Sequence, residues 1–286
     1  MALREDHLSH SLTRFGDCSR ATPSSNLASP SQDDNAIPLN LTGLDFAERA
    51  DLTRTPELME LPCSYEDLRD CLHDISRVNR LTRAYHPTLR WLNFFYSQLP
   101  LQEKPIHIVD VGCGYGDMLR RVHQWAEDRA LPVVLTGIDL NPDAIRAARE
   151  ATIPGTVTFL AGNAFDFAPP GGIDLVINSL LMHHLETPEI VDLLAWMESV
   201  TRFGWFINDL HRQPVPYYAF KFMAAFTSWH RFVKHDGAVS ILRSFRPEDW
   251  HALLQAAGIP RNEVHIEEVP PARLCVARLR KTLINR

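Results

Sequence analysis

The 286-residue chain is 45% hydrophobic and 22% charged, with a formal net charge of −6. These are the proportions of a globular protein large enough to bury a core without disulfide or metal staples. The mild acidity argues against a nucleic-acid partner, which calls for a basic face. The five cysteines form no C-x-x-C pair and no Cys/His ligand spacing, so no metal site is read. Their odd number suits free thiols in a reducing compartment.

The opening residues Met1 to His7 carry charges where a signal peptide needs an apolar run. No window reaches the roughly 20 apolar residues of a membrane span, and the nearest, 217–229, is broken by Lys221. A cytoplasmic protein without stable membrane insertion is expected.

Residues 1–38 read as a disordered tail. The stretch 21–32 is rich in Ser, Pro and Thr and buries too little surface to offset its ordering entropy. Residues 39–104 read as a helical segment. Ser64 followed three positions later by Asp67 is a capping box. Leu68, Cys71, Leu72, Ile75 and Val78 then repeat at the helical period. A second helix carries Leu89, Trp91, Leu92, Phe94 and Phe95 and ends at Pro100.

From residue 105 to the end the pattern becomes an alternation. Short apolar runs at 106–111, 133–138, 157–161, 173–178 and 205–208 read as strands, with helices at 118–126, 142–150 and 188–200 between them. Strand and helix taking turns predicts a doubly wound α/β sheet. Residues 213–246, rich in aromatics, read as a helical cap inserted after the fifth strand. A helix at 247–257 and a terminal hairpin at 264–269 and 274–277 complete the chain.

The turn after the first strand is Asp110-Val111-Gly112-Cys113-Gly114-Tyr115-Gly116-Asp117. Glycines between a strand and a helix let the backbone come close to a ligand. The dinucleotide fingerprint needs G-x-G-x-x-G. Here the third glycine comes one position early and Asp117 stands in its place. Asp139 ends the second strand, where a carboxylate can accept from both ribose hydroxyls. Its alternative role is to cap the helix near Pro142.

These residues resemble motif I of the class I S-adenosylmethionine-dependent methyltransferases. Gly137-Ile138-Asp139-Leu140-Asn141-Pro142, Leu160-Ala161-Gly162-Asn163-Ala164 and Ile173-Asp174-Leu175-Val176-Ile177-Asn178-Ser179 resemble the three motifs that follow. The resemblance implies a seven-stranded, mostly parallel, Rossmann-like sheet with one antiparallel strand, and S-adenosyl-L-methionine as cofactor. It implies that Asp110, Gly112, Gly114 and Gly116, with Cys113 between them, meet the methionine part. Asp139 would hold the ribose, with Leu140 near the adenine. Asn163, beside Ala164, would meet the adenine amino group, and Asn178 closes the cofactor set.

The acceptor side is less determined. His183 and His184 follow the fourth strand, and a histidine is a natural proton acceptor. Packing at the start of the next helix is the favoured reading for the pair, with His184 the catalytic candidate. Asp209 and His211 follow the fifth strand and either orient a proton acceptor at His211 or lock the cap. His235-Asp236 reads as a solvated turn. The aromatics Tyr217, Tyr218, Phe220, Phe222, Phe226 and Trp229 form cap core or wall an apolar acceptor.

The folded chain, including Glu57-Leu58-Met59, Val78-Asn79-Arg80 and Asn208-Asp209-Leu210-His211-Arg212, is similar to bacterial methyltransferases of quinone and polyketide-type small molecules. O-methylation of a phenolic or quinone-like, aromatic or lipophilic acceptor is the expectation. Alternatives are C-methylation of a similar ring, a cofactor-binding protein without catalysis, or a nicotinamide oxidoreductase. Oligomeric state is left open.

Overall fold

The computed structural model describes residues 44–99 and 104–280. The expected tail at 1–38 lies outside the described residues. Ser64 caps helix α1 (Tyr65–Leu81), its hydroxyl accepting from the Asp67 N–H at 3.1 Å. One face of α1 buries Leu68, Cys71 and Leu72. Helix α2 (His86–Gln98) carries Pro87 in its first turn, where the missing N–H costs nothing. Trp91 of α2 stacks on Phe206 with 4.9 Å between centroids, which fastens the helix to the sheet.

The alternation then runs β1 (Ile106–Val111), α3 (Asp117–Glu127), β2 (Val133–Asp139), α4 (Pro142–Glu150), β3 (Thr158–Ala161), β4 (Ile173–Ser179), α5 (Thr187–Val200) and β5 (Thr201–Leu210). Cap helices α6 (Pro214–Ala225) and α7 (Arg231–Arg243) follow, then α8 (Pro247–Ala256), β6 (Val264–Val269) and β7 (Arg273–Leu279). The strands form one seven-stranded sheet of order β3-β2-β1-β4-β5-β7-β6. Strands β1 to β5 pair in parallel, and β7 runs antiparallel to both β5 and β6. This is the doubly wound, Rossmann-like arrangement expected. Strand order reverses between β1 and β4, which opens a crevice at the carboxyl ends of those strands.

One apolar layer on the sheet takes Phe95 from α2 and Leu119 and Trp125 from α3. The other takes Leu194 from α5 and Trp250 from α8. Strand β5 is longer than the apolar run at 205–208 suggested. Gly204 and Arg202 interrupt the sequence pattern, but β4 and β7 pair with the strand on either side. Hydrogen bonding from neighbours, not its own residues, extends it.

The segment after β5 consists of two helices, and its aromatics divide. Tyr217 is fully buried and Trp229 nearly so, whereas Tyr218, Phe222 and Phe226 are 54%, 71% and 78% exposed. Neither reading of the run covers all six rings. His235-Asp236 is not a solvated turn. It lies within α7, where the Asp236 carboxylate is buried and accepts from the N–H groups of Leu58 and Met59 at 2.7 and 3.1 Å. Asp236 thereby caps a short 3-10 turn, Leu58–Glu60.

Two arginines strap the cap to the rest of the fold. Arg212 donates to the carbonyls of Phe46, Ala47 and Ser244 and pairs with Asp249. Arg49 donates to the carbonyls of Arg243, His183 and Leu185. Among the described residues, no helix is long and apolar enough to cross a membrane.

Candidate functional site

A cavity of about 570 Å³ opens where β1, β2 and β4 end. Helix α1 and the cap close its other side. Gly112, Cys113, Gly114, Asp139, Leu140, Asn163 and Ala164 all line it. Asp110, Gly116 and Asn178 do not; each is buried in the layer behind the wall.

The loop backbone explains its glycines. Gly112 has φ +68°, and a Cβ there would lie 2.7 Å from Leu181 Cδ1. Gly116 has φ +70°, and a Cβ there would lie 2.5 Å from the Phe159 ring. Gly116 is therefore required for seating the start of α3 against β3, not for ligand approach.

Asp139 sits at the centre of the loop's hydrogen bonding. Its Oδ2 accepts from the Gly114 N–H at 2.8 Å and its Oδ1 from the Asn141 N–H at 2.9 Å. A carboxylate offers about four acceptor sites, so each oxygen keeps capacity for a ligand hydroxyl. Asn141, not Asp139, caps α4, accepting from Asp143 and Ala144. The capping alternative for Asp139 is thus taken by its neighbour. Burial raises Asp139 above the ordinary carboxylate range, against the two amides that stabilise its charge.

Asp110 is fully buried just before the loop, and its Oδ1 has no partner. Burial, then the charges of Asp117 and Asp139, hold it well above the usual range. Asn163 accepts from Phe165 N–H at 3.1 Å, capping a 3-10 turn. Asn178 turns away from the cavity, its amide donating to Met197 Sδ at 3.7 Å. Leu180, after β4, lines the cavity at φ +59°, a conformation that side chains adopt at a cost.

A second cluster lines the same cavity. His183 and His184 lie on a 3-10 turn after β4, with ring centroids 4.2 Å apart. His183 Nδ1 is 2.7 Å from Asp209 Oδ1, and His184 Nδ1 is 2.8 Å from Glu60 Oε1. Their Nε2 atoms turn toward Glu57, at 3.7 Å from Oε1 and 3.9 Å from Oε2 respectively. Arg243 holds Glu60 with contacts of 2.6 and 3.0 Å. Ser240 donates to Glu57 at 2.8 Å.

Electrostatics differ sharply within the cluster. Burial pushes Glu57 up to about 7, against His184 and Arg243. Burial also raises Glu60, but hydrogen bonds from His184 and Arg243 outweigh it and bring the group down to about 2. Burial raises Asp209, yet His183 and the Leu210 N–H keep it below the ordinary carboxylate range.

His211 is a correction to the sequence reading. It does not line the cavity; it bridges to Phe245 and sits 3.6 Å from Glu268 on β6. Strand β5 ends at Leu210, and His211, one residue on, falls outside the cavity lining. Asp209 orients a histidine, but that histidine is His183. The motif around Arg212 locks the cap, one of the two alternatives.

Glu57, Glu60, Asn79 and Arg273 also line the cavity and were not assigned roles from sequence. Asn79 and Tyr85 donate to Asp117 at 3.2 and 2.7 Å, tying α1 to the start of α3. A polar residue on the apolar face of α1 was the available signal for Asn79.

The cofactor implied by the glycine motif fits these residues. An unpaired buried acceptor at Asp110, a wall carboxylate with spare lone pairs at Asp139 and a loop whose Gly112 and Gly114 leave the wall open are the features that such a ligand needs.

The family model described as "Methyltransferase domain" matches residues 108–204. The structure of the plantazolicin methyltransferase BpumL in complex with SAH aligns at 18% identity and a TM-score of 0.53. That alignment covers 76% of this chain and 95% of BpumL. The same enzyme with a monoazolic desmethylPZN analog and SAH aligns at 18% identity and 0.51, covering 76% and 96%. These likenesses concern the fold. A comparison with curated proteins finds none that matches.

Proposed function

From the premise that this chain is an S-adenosylmethionine-dependent methyltransferase of the class I fold, we propose that it methylates an oxygen of a small phenolic or quinone-like acceptor. The observation that carries the reading is the histidine–carboxylate cluster on the wall of the same cavity as the glycine loop.

Bound at the loop, the cofactor supplies an electrophilic methyl group on a sulfonium. Gly112, Cys113 and Gly114 are assigned to its methionine part, with the Asp110 carboxylate buried behind them, Asp139 to the ribose, and Leu140, Asn163 and Ala164 to the adenine. Gly116 and Asn178 shape the loop and strand end from behind.

A hydroxyl acceptor must give up its proton around the time of transfer, and positioning supplies much of the remaining rate. We assign activation of the hydroxyl to His184. Glu60, an ionised acceptor, fixes the Nδ1–H tautomer and leaves the Nε2 lone pair to take a proton on the cavity wall, beside Glu57. Apolar walls from Leu72, Ile75, Phe220 and Met223 suit a ring-bearing acceptor.

Incubation with methyl-labelled S-adenosylmethionine and a panel of phenols, hydroquinones and their ring-blocked analogues tests this reading. Label on oxygen in at least one phenol, with a large loss in His184→Ala, is expected. Label on a ring carbon, with His184→Ala nearly as active as the parent, would replace O- by C-methylation. Tight cofactor binding without transfer to any acceptor would favour a binding protein.

A further inference from the structure

Glu57, His183 and His184 bring three donor atoms, all within 4.8 Å of one another, onto the cavity wall. Each histidine Nδ1 lies within hydrogen-bond distance of a carboxylate, Asp209 or Glu60. An ionised carboxylate only accepts, so each Nδ1 carries the proton. In neutral rings both Nε2 atoms then present lone pairs, and they present them toward Glu57.

Three acceptors facing one another repel; Arg243, its Nη1 3.5 Å from Glu57 Oε1, offsets the carboxylate's charge, and a cation between the three would offset the two Nε2 lone pairs as well. Protons on Nε2 would close the gap by hydrogen bonds, but 3.7 and 3.9 Å exceed hydrogen-bond length. A tetrahedral ion with bonds of about 2.0–2.1 Å sets its ligands roughly 3.4 Å apart. The two histidine–Glu57 separations, which reach different carboxylate oxygens, are a few tenths of an ångström wider than that, and the three donor atoms together lie within 4.8 Å. Histidines whose other nitrogen is held by a carboxylate are also the arrangement by which proteins orient metal ligands.

We propose that Glu57, His183 and His184 bind one first-row divalent cation of the zinc type, with its remaining coordination position toward the cavity. Two histidines and one carboxylate with an open position suit such an ion. No local ligand spacing announces this site, because Glu57 lies far from the histidines along the chain.

The inference deepens the O-methylation reading and rests on it for its chemistry. His184 then activates the hydroxyl through the ion on its Nε2 instead of taking the proton itself. The acceptor oxygen binds the cation and its proton passes to water. The new O–C bond forms with that oxygen's electron pair as the C–S bond breaks, its pair remaining on sulfur.

The full chain, freed of metal by chelator and dialysis, is titrated with Zn²⁺ by calorimetry and with Co²⁺ by visible absorption. One equivalent of each is expected, with cobalt bands of a tetrahedral site. Glu57→Gln and His184→Ala should abolish binding. Glu60→Gln, which touches only the supporting shell, should weaken it about 10–100-fold. Circular dichroism identifies any variant that fails to fold, and the wild-type titration stands regardless of the variants.

No stoichiometric uptake of either ion overturns the proposal, as does unchanged binding in folded Glu57→Gln and His184→Ala. Chelated enzyme should bind S-adenosylmethionine normally and lose about 100-fold in kcat on a phenol, recovered on adding Zn²⁺. Full phenol methylation by metal-free enzyme would refute the metal and leave the O-methylation reading standing. Metal uptake without any oxygen methylation would do the reverse.

Discussion

Replacing Asp139 by asparagine tests the ribose assignment with little change of shape. The carboxylate already accepts one backbone N–H on each oxygen, from Gly114 and Asn141. An amide has one accepting end, so its NH2 must face one of those N–H groups, donor against donor. On the cavity side, two charge-assisted bonds to ribose hydroxyls become at most one neutral bond. Hydrogen bonds to charged groups contribute roughly 1.5–3 kcal/mol each. A loss of about 2–5 kcal/mol corresponds to roughly 30- to 4000-fold weaker cofactor binding. Calorimetric titration with S-adenosylmethionine and its demethylated product reads this directly. Asp139→Ala should be at least as severe, and should lower the melting temperature as well, since two loop amides lose their acceptor. Wild-type affinity in folded Asp139→Asn would show that the ribose does not meet this carboxylate.

Other consequences follow from the same geometry. Burial, together with Asp117 and Asp139, raises Asp110, and burial raises Asp139, so cofactor affinity should fall as pH drops through the raised values of these groups, with proton release on binding. The ligand-free fold responds with the opposite sign. A raised carboxylate contributes stability that is present below its unfolded value of 3.8 and is lost as pH rises through its folded value. Titrations in buffers of different ionisation heat, alongside thermal melts across pH, check both signs, and affinity that rises on acidification would contradict them. Gly116→Ala meets a left-handed backbone and the Phe159 ring at 2.5 Å. It should cost about 2–5 kcal/mol, on the order of 10 °C in Tm, and a melt unchanged from wild type would remove the packing argument. His184→Ala should lower kcat by about 100-fold or more, while His211→Ala, outside the cavity, should leave it nearly unchanged. The reverse order would restore His211 to the site.

What could be read from sequence follows distance along the chain. The loop from Asp110 to Gly116 and its partner Asp139 are close in sequence, and a strand–turn–helix fixes their relative placement. Periodicity found the strands, and failed at β5, where Gly204 and Arg202 hide a strand that its neighbours complete. The histidine cluster was not legible as a unit. His184 meets Glu60 across 124 positions, and no local pattern encodes that meeting. Asp209 pairs with His211 on sequence alone because only Leu210 lies between them. The end of β5 separates them, and the turn after β4 supplies His183 instead. Cap aromatics divide between core and surface because an apolar helix with no clear one-sided pattern does not reveal which face meets the domain.

The central claim, that the glycine loop and Asp139 hold S-adenosylmethionine, is tested most directly by titrating the full chain in a calorimeter with S-adenosylmethionine and, separately, with NAD and NADP. Saturable binding of one S-adenosylmethionine per chain, with no heat from either nicotinamide, is the predicted result. Binding of a nicotinamide dinucleotide without binding of S-adenosylmethionine would contradict it.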